Sequence, residues 1–359
     1  MKIAIIGLAN SGKTTVFNAL TRGTAETAAF SSGQLEPNIA TVKVPDARLD
    51  ELARIFKPRK ITATDVQYVD VAGMSGGGNR SGLPPAVLNY ISGADALLHV
   101  VRAFEDNTVP HPDGSVDFRR DIESVDLELI FSDLAIIEKR LVRLNGEIGK
   151  MAGRERELRT IERDALVRLQ AALEAGQHVR DIDLNEEESR LLRGYQFLTA
   201  KPILQVINVG DDAVNQQIAI EYNHRMSGVA VIAGKIEAEL AQMNDEDATM
   251  FMDDLGITEP ARNRVIQVSY ELLGLMSFLT AGEDEVRAWT IRRNTPAVEA
   301  AGAIHSDIQR GFIRAEVVAF VDLVKAGGLV EAKKAGTVRL EGKQYIVKDG
   351  DICHFLFNV

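Results

Sequence analysis

The stretch Gly7-Leu8-Ala9-Asn10-Ser11-Gly12-Lys13-Thr14 decides the fold class of this chain. It matches the phosphate-binding pattern G-x-x-x-x-G-K-[ST], between an apolar run at 2–6 and a helix-like segment at 14–20. The loop N–H groups and the positive end of the helix attract phosphates, Lys13 reaches the β- and γ-phosphates, and Thr14 offers a hydroxyl to Mg²⁺. The alternative is a glycine turn with an exposed lysine. The predicted phosphate site comprises Asn10, Ser11, Gly12, Lys13, Thr14 and Thr15.

A second phosphate-side motif, Asp70-Val71-Ala72-Gly73, follows another apolar strand candidate. Asp70 can hold Mg²⁺ through water, and the N–H of Gly73 can meet the γ-phosphate. The motif is weak by itself and could be a plain turn, but after a P-loop it indicates a switch-type NTPase. Met74 stands where many GTPases carry a glutamine that orients the attacking water, and methionine cannot make that hydrogen bond.

The third motif, Asn208-Val209-Gly210-Asp211, follows the strand candidate at 203–207. Guanine-specific proteins carry N-K-x-D here, and their aspartate accepts hydrogen bonds from guanine. Valine replaces the lysine in this chain, and we expect it to leave an apolar contact that does not distinguish purines. We also expect Asp211 to turn to solvent, so that ATP binds at least as well as GTP. The alternative is a polar loop without a role in binding.

Length and composition set the broad class. The 359 residues suggest two or three domains, and 45% hydrophobic with 26% charged residues is ordinary globular composition. The net charge of 41 − 52 = −11 argues against a protein that coats nucleic acid generally. The single cysteine, Cys353, excludes an internal disulfide framework and predicts a cytosolic protein. No apolar run reaches the ~18 residues of a membrane span.

The order of strand-like and helix-like segments divides the chain. Strand candidates at 2–6, 69–71, 96–101 and 203–207 alternate with helices, which predicts a doubly wound α/β domain. A second helical stretch is predicted from Glu155 to Leu173, and short β-rich segments after Ser277 predict a small α+β domain. An apolar seam with steps of three and four residues predicts a coiled-coil hairpin between these parts. The seam comprises Leu127, Ile130, Leu134, Ile137, Leu141, Leu144, Ile148 and Met151.

The predicted hairpin is basic in an acidic chain. Between Lys139 and Arg168 there are nine basic and five acidic residues, a net charge of +4. This stretch is either a solvated helix face or a surface that contacts a phosphate backbone.

Further motifs extend across nearly the whole chain, and with the P-loop they resemble the YchF/Obg-like ATPase family. They comprise Glu36–Asn38, Val44–Asp46, Val100–Asp106, Lys235–Leu240, Thr280–Gly282, Val286–Thr290, Ala300–His305, Gly311–Glu316, Asp349–Asp351 and Phe357–Val359. The resemblance implies an α/β, Ras-like P-loop NTPase domain at 1–126 plus 200–276. It also implies an inserted α-helical coiled-coil hairpin at 127–199 and a C-terminal TGS domain, a β-grasp module, at 277–359.

The resemblance also implies function and further site residues. Members bind ATP at least as well as GTP, associate with ribosomes, and hydrolyse slowly with Mg²⁺ and often K⁺. Asn10 matches the asparagine of the K⁺-stimulated members, and His111 matches a histidine that is a candidate for positioning water. The alternative for His111 is an exposed loop histidine beside Pro110. The base-side loop is carried over as Ala233, Gly234 and Lys235.

Three positions depart from the family pattern. One is Asp211, where the fourth residue of the base motif is usually glutamate. Gln34 stands at the expected switch I threonine, so the hydroxyl that senses Mg²⁺ would have to come from Ser31 or Ser32. Ala233 stands where the family has serine or cysteine.

We therefore expect a cytoplasmic, monomeric, three-domain nucleotide switch that acts on the ribosome through rRNA and ribosomal proteins, with no membrane partner and no specific DNA partner. Its expected catalytic residues are Lys13, Asn10, His111 and Gly73. The alternatives are an RNA- or ribosome-binding module with a mainly structural nucleotide, or a strict GTPase. A small-molecule kinase is disfavoured because a long heptad hairpin is a poor lid.

Overall fold

The computed structural model describes residues 1–24, 37–71, 85–214, 216 and 218–358. The predictions for Ser31, Ser32, Gln34, Gly73 and Met74 lie outside these residues. The chain forms two units. The first comprises Met1–Thr41 and Gln67–Leu272, and the second comprises Val42–Val66 and Leu273–Val359.

The described residues form twelve strands and thirteen α-helices, and the two kinds largely alternate in the first half of the chain, as the sequence predicts. The strands are β1 (Lys2–Ile6), β2 (Asn38–Lys43), β3 (Lys60–Thr62), β4 (Asp65–Asp70), β5 (Ala96–Ala103), β6 (Ile203–Val209), β7 (Ser227–Ile232), β8 (Leu275–Ala281), β9 (Glu285–Arg292), β10 (Phe312–Ala319), β11 (Arg339–Glu341) and β12 (Asp351–Phe357). The α-helices are α1 (Lys13–Thr21), α2 (Ala47–Phe56), α3 (Pro85–Ser92), α4 (Phe118–Glu147), α5 (Gly153–Glu174), α6 (Glu186–Leu192), α7 (Gly234–Gln242), α8 (Asp245–Leu255), α9 (Ala261–Leu272), α10 (Ala297–Ile304), α11 (Ser306–Arg310), α12 (Phe320–Ala326) and α13 (Leu329–Lys334).

The first unit is built on a sheet with the strand order β2-β4-β1-β5-β6-β7. Strands β4, β1, β5, β6 and β7 pair in parallel, with Ile5 opposite Asp70 and Ala103 opposite Val209. Strand β6 is buried along its whole length, as expected for a parallel strand that is covered on both faces. Parallel pairing brings the carboxyl ends of β1, β4 and β6 to one edge of the sheet. The P-loop, Asp70 and Asn208 therefore meet at that edge.

Helices α4 and α5 form the predicted pair, joined by a short turn at Ile148–Lys150. From Ile130 to Ile148 the predicted apolar seam lies in a core with residues of α5 such as Leu166 and Leu169. The prediction that Leu127 belongs to this apolar seam is wrong, because the residue is 49% exposed. At that level α4 turns Val125 and Leu129 toward the core that covers β1 and β5.

The second unit has a sheet with the order β11-β10-β12-β8-β9-β3. Strands β8 and β12 are parallel, while β8–β9, β10–β11 and β10–β12 are antiparallel. The predicted C-terminal sheet domain is therefore present, and its assignment as a TGS module stays a prediction.

Residues 42–66 lie in a different unit from the one that the predicted domain boundaries assign to them, which is the nucleotide domain. They lie in the second unit. Strand β3 pairs in parallel with β9, with Ile61 opposite Val286. Leu49 and Leu52 of α2 are buried in a core with Leu279 and other residues of the C-terminal sheet. Burial of this amphipathic helix holds the segment to that sheet.

Candidate nucleotide site

Glycine is required at two positions of the loop between β1 and α1. Gly7 has a φ of 145° and Gly12 a φ of 89°, and such angles strongly favour glycine. A Cβ atom on Gly7 would overlap the carbonyl oxygen of Val100, and one on Gly12 would overlap the amide of Asn208. Asn10 also has a positive φ, 61°, which asparagine tolerates better than most residues. The loop thus has the close approaches that the P-loop pattern predicts.

Lys13, the predicted phosphate ligand, lies buried at the start of α1. Its ammonium donates to the carbonyl oxygen of Leu8 at 2.6 Å, inside the loop itself. Burial lowers the pKa of Lys13 to about 8, and the carboxylate of Asp70 opposes that shift. The Lys13 ammonium is therefore held next to the loop, and the carboxylate of Asp70 neutralises only part of its charge. The remaining positive charge can attract a phosphate.

The two predicted metal ligands lie together. The hydroxyl of Thr14 donates to Oδ2 of Asp70 at 2.8 Å. Burial raises the pKa of Asp70, while hydrogen bonds from Thr14 and Asn38 and the charge of Lys13 act in the opposite direction. The Asn38 amide lies 3.5 Å from the same carboxylate oxygen, a contact that the sequence did not single out. A hydroxyl and a carboxylate are hard oxygen ligands, so this pair fits Mg²⁺.

Asn208 connects two loops of the site. Its Nδ2 donates to the carbonyl oxygen of Ser11 at 3.0 Å, and its Oδ1 accepts from the N–H of Gly234 at 3.0 Å. The side chain is buried. A Cβ atom on Gly234 would lie 2.7 Å from Oδ1 of Asn208, so glycine is needed there as well. Asn208 therefore holds the P-loop against the start of α7.

The residues predicted to lie near the nucleotide base differ in their exposure to solvent. Asp211 is half exposed and accepts a hydrogen bond from the ammonium of Lys235 at 3.0 Å. Ala233 is buried and precedes α7. Val209 is buried too, in a core with Ile207 and others. The apolar contact with the base that we expected from Val209 is therefore not what the structure shows, because this side chain fills the core.

His111 lies close to the P-loop, but both of its ring nitrogens are engaged. The amide of Asn10 donates to the carbonyl oxygen of Pro110 at 3.0 Å, which joins the P-loop to the His111 loop. Nδ1 accepts from the N–H of Asp113 at 3.1 Å, and Nε2 lies 2.9 Å from Oδ2 of Asp121 in α4. The alternative of an exposed loop histidine is wrong, because the side chain is only 4% exposed.

Sequence reasoning missed Arg102 as a support of the loop. Its guanidinium is buried, donates to the carbonyl oxygens of Phe104 and Asp106, and lies 3.4 Å from that of Asn10. It also lies 4.6 Å from the centre of the Phe104 ring. The run Val100–Asp106 was singled out only as a family motif, and its buried arginine beside the end of β5 was the available signal.

The structure brings most of the predicted site together. The P-loop residues, Asp70 and Asn208 meet at one edge of the sheet, and Asn10 links them to the His111 loop. Thr15 is half-buried in α1. Ser11 is buried, and its hydroxyl has no hydrogen-bond partner within the described part of the chain. Gly73 lies outside the described residues.

A loop of this geometry at the carboxyl edge of a parallel sheet is the mark of P-loop nucleoside triphosphatases, and the chain is of this class. Residues 2–133 match a family described as 50S ribosome-binding GTPase. Residues 275–358 match the family YchF-GTPase_C, described as a protein of unknown function. Among the described residues, no helix combines the length and the apolar character needed to cross a membrane.

Individual relatives match over nearly the full length. The chain is 43% identical to the ribosome-binding ATPase YchF of Bacillus subtilis, over 99% of this chain and 98% of that protein. It is 36% identical to Obg-like ATPase 1 of Caenorhabditis elegans, over 100% of this chain and 92% of that protein. The solved structure of the Schizosaccharomyces pombe YchF GTPase has a TM-score of 0.84 at 30% identity, covering 99% of this chain and 97% of that one. The chain belongs to the YchF family.

Proposed function

We propose that this chain binds and slowly hydrolyses ATP in the cytoplasm, as a nucleotide switch that associates with the ribosome. The proposed hydrolysis rests on the P-loop, where Thr14 bonds to Asp70 and the charge of Asp70 acts on the buried Lys13. The proposed association with the ribosome rests on the relatives, which are named ribosome-binding ATPases.

The residues present supply positioning and charge for phosphoryl transfer. Loop N–H groups and Lys13 bind the β- and γ-phosphates, and Thr14 with Asp70 would hold Mg²⁺, which neutralises phosphate charge when bound. Asn10 would offer its amide oxygen to K⁺, since its amide nitrogen already donates to Pro110. If K⁺ acts there, exchanging Na⁺ for K⁺ should raise kcat, and Asn10→Ala should remove the difference.

Slow turnover follows from the way His111 is held. Its Nδ1 accepts from the Asp113 N–H, so the ring proton lies on Nε2 and faces the carboxylate of Asp121. A histidine that positions water must first release this carboxylate. We therefore expect low turnover from the free protein. A bound partner would raise turnover by moving the His111 loop so that His111 leaves Asp121.

Nucleotide preference follows from Asp211. A carboxylate at the base edge favours guanine, because guanine N1 is a donor and adenine N1 is an acceptor. Asp211 is instead paired with Lys235 at the surface. With this carboxylate turned away, the site admits adenine, and ATP binds at least as well as GTP.

The helical hairpin offers a surface for ribosomal RNA. Arg140 and Arg159 are used internally, since both pair with the buried Glu162. Five further basic side chains are exposed and make no ion pair within the described part of the chain. They are Lys139, Arg143, Lys150, Arg154 and Arg156. This subset suits a phosphate backbone, and the C-terminal unit at 277–359 is the second proposed contact.

Competition titration of labelled ATP with ATP and GTP tests the preference. GTP binding tenfold tighter than ATP, a gap of about 1.4 kcal/mol, would contradict the proposal. Asp211→Ala should leave the ATP Kd within about twofold, as should the control Asp212→Ala. Lys235→Ala should shift the preference toward GTP, by no more than about fivefold, because an exposed ion pair contributes at most about 1 kcal/mol.

A further inference from the structure

Three metal-ligating side chains converge in the first unit, away from the nucleotide site. His178 and Asp181 follow α5 at the end of the helical hairpin, and His224 precedes β7. Nδ1 of His178 lies 3.3 Å from Nδ1 of His224 and 3.9 Å from Oδ2 of Asp181. Nδ1 of His224 lies 2.7 Å from the same carboxylate oxygen. Three potential ligand atoms thus form a small triangle.

We propose that His178, Asp181 and His224 form a binding site for one zinc-class transition metal ion. In a tetrahedral site with bonds of 2.0–2.1 Å, neighbouring ligand atoms are about 3.3–3.4 Å apart. The three observed separations bracket that value, and changes of up to about 0.7 Å in two of them bring the atoms to it. Two imidazole nitrogens select zinc, cobalt or nickel over Mg²⁺, which separates this site from the hard oxygen ligands Thr14 and Asp70.

The hydrogen bonds around His178 place a lone pair on Nδ1, where it accepts from Arg180, so a bound ion would take the place of this one hydrogen bond. The guanidinium of Arg180 lies 3.0 Å from Nδ1 of His178. Arginine only donates, so Nδ1 is the acceptor and the ring proton lies on Nε2. Nε2 is buried and has no hydrogen-bond partner within the described residues. It lies 3.8 Å from Oδ1 of Asp126, and a carboxylate behind a ligating histidine is the usual outer support of a metal site.

Arg180 does not depend on His178 for its position. It donates to the carbonyl oxygens of Thr199 and Lys201 at 3.2 and 3.3 Å, and to the hydroxyl of Tyr222 at 2.9 Å. The guanidinium therefore keeps three acceptors when the lone pair of His178 turns to a metal ion. The carboxylates of Asp126 and Asp181 offset part of the positive charge that the ion adds.

The other two ligands are held in place and can be reached from solvent. Oδ1 of Asp181 accepts from the N–H of Arg225 at 2.8 Å, which leaves Oδ2 directed toward His224. Nδ1 of His224 donates its proton to Oδ2, so a bound ion takes the place of this proton, which is released to solvent. The side chains of Asp181 and His224 are 22% and 29% exposed, whereas that of His178 is 1% exposed. Solvent can therefore supply the fourth ligand. A bound ion would fasten the end of the hairpin to the segment that enters β7.

Titration of untagged, metal-stripped full-length protein with Co²⁺, in excess Mg²⁺, tests the site through the visible absorption of four-coordinate cobalt. We expect one equivalent to give the band, and one equivalent of Zn²⁺ to displace it. His224→Gln should weaken Co²⁺ binding about 100-fold or more, and Asp126→Asn about tenfold. His305→Gln, at an exposed histidine, is the matched control and should bind as the unaltered chain does.

The partly exposed His224 is the preferred position because its replacement leaves the core intact, which circular dichroism can verify. Absence of a band in the unaltered protein would overturn the proposal. A stoichiometric band that persists in His224→Gln would overturn it too, since the ion would then lie elsewhere, for example at His111 and Asp121.

Discussion

Asn208→Ala tests how the nucleotide site is assembled. The Asn208 amide is buried and bonds to the Ser11 carbonyl and to the Gly234 N–H, each at 3.0 Å. Alanine leaves both partners unsatisfied, and each such loss costs about 1–3 kcal/mol. Because the smaller alanine leaves room for water beside the two unpaired groups, we expect the two losses together to lower the free energy of unfolding of the first unit by about 2–4 kcal/mol.

The same substitution should also weaken nucleotide binding. Without the amide, the P-loop and the start of α7 are no longer held together, and we expect the ATP Kd to rise at least tenfold, or about 1.4 kcal/mol. Calorimetric titration and thermal unfolding measure the two effects. Asn244→Ala is the matched control: it removes the N-cap of α8, where Oδ1 accepts from the Asp247 N–H at 2.9 Å. It should cost about 1 kcal/mol of stability without changing ATP affinity. Equal ATP affinity in the two variants would show that Asn208 does not hold the P-loop in its binding conformation.

Three further predictions concern Lys13, Thr14 and the hairpin. ATP affinity should stay constant up to about pH 8 and then weaken by up to about tenfold per pH unit, because the free protein loses the Lys13 proton near its pKa of about 8 and binding must restore it; titration calorimetry across this range measures it. Thr14→Val should raise the ATP Kd at least about tenfold in Mg²⁺ and much less in EDTA, since it removes the hydroxyl beside Asp70. Combined Arg154→Glu and Arg156→Glu should weaken co-sedimentation with ribosomes and reduce its salt dependence, at unchanged ATP affinity.

Each of these has a control in the same unit. Lys201→Met removes a half-buried lysine elsewhere and should keep the pH dependence, whereas a pH-independent ATP Kd in the unaltered chain would contradict the assignment to Lys13. Thr15→Val should bind Mg·ATP nearly normally, and an equal loss in both threonine variants would speak against a specific metal ligand. Arg264→Glu, at an exposed position of α9, should leave ribosome binding intact. Unaltered ribosome binding in the hairpin variant would exclude that surface.

The P-loop could be predicted from sequence because its constraints are local. Gly7 and Gly12 have positive φ angles and neighbouring atoms that leave no room for a Cβ atom. The loop also lies between a strand and a helix that adjoin it in the chain. The apolar spacing likewise predicted the α4–α5 pair. It failed at Leu127, because a seam of fixed spacing does not show where a helix changes the neighbour that it packs against.

Long-range partners were the part that the sequence could not supply. Helix α2 and strand β3 have ordinary α/β patterns, and only the pairing of β3 with β9 places them in the second unit. The bond between His111 and Asp121 joins a loop to the first turn of α4, and no motif encodes it. The place of Val209 could not be predicted either, since a valine at the end of a buried strand can pack in a core or line a ligand site.

Steady-state ATP hydrolysis with and without purified ribosomes shows whether the ribosome controls this chain as an ATPase. We predict slow turnover by the protein alone, a clear rise when ribosomes are added, and loss of both rates in Lys13→Met. A rate that ribosomes leave unchanged would contradict control by the ribosome and favour a module whose nucleotide is structural. Turnover of GTP in clear preference to ATP would contradict it as well.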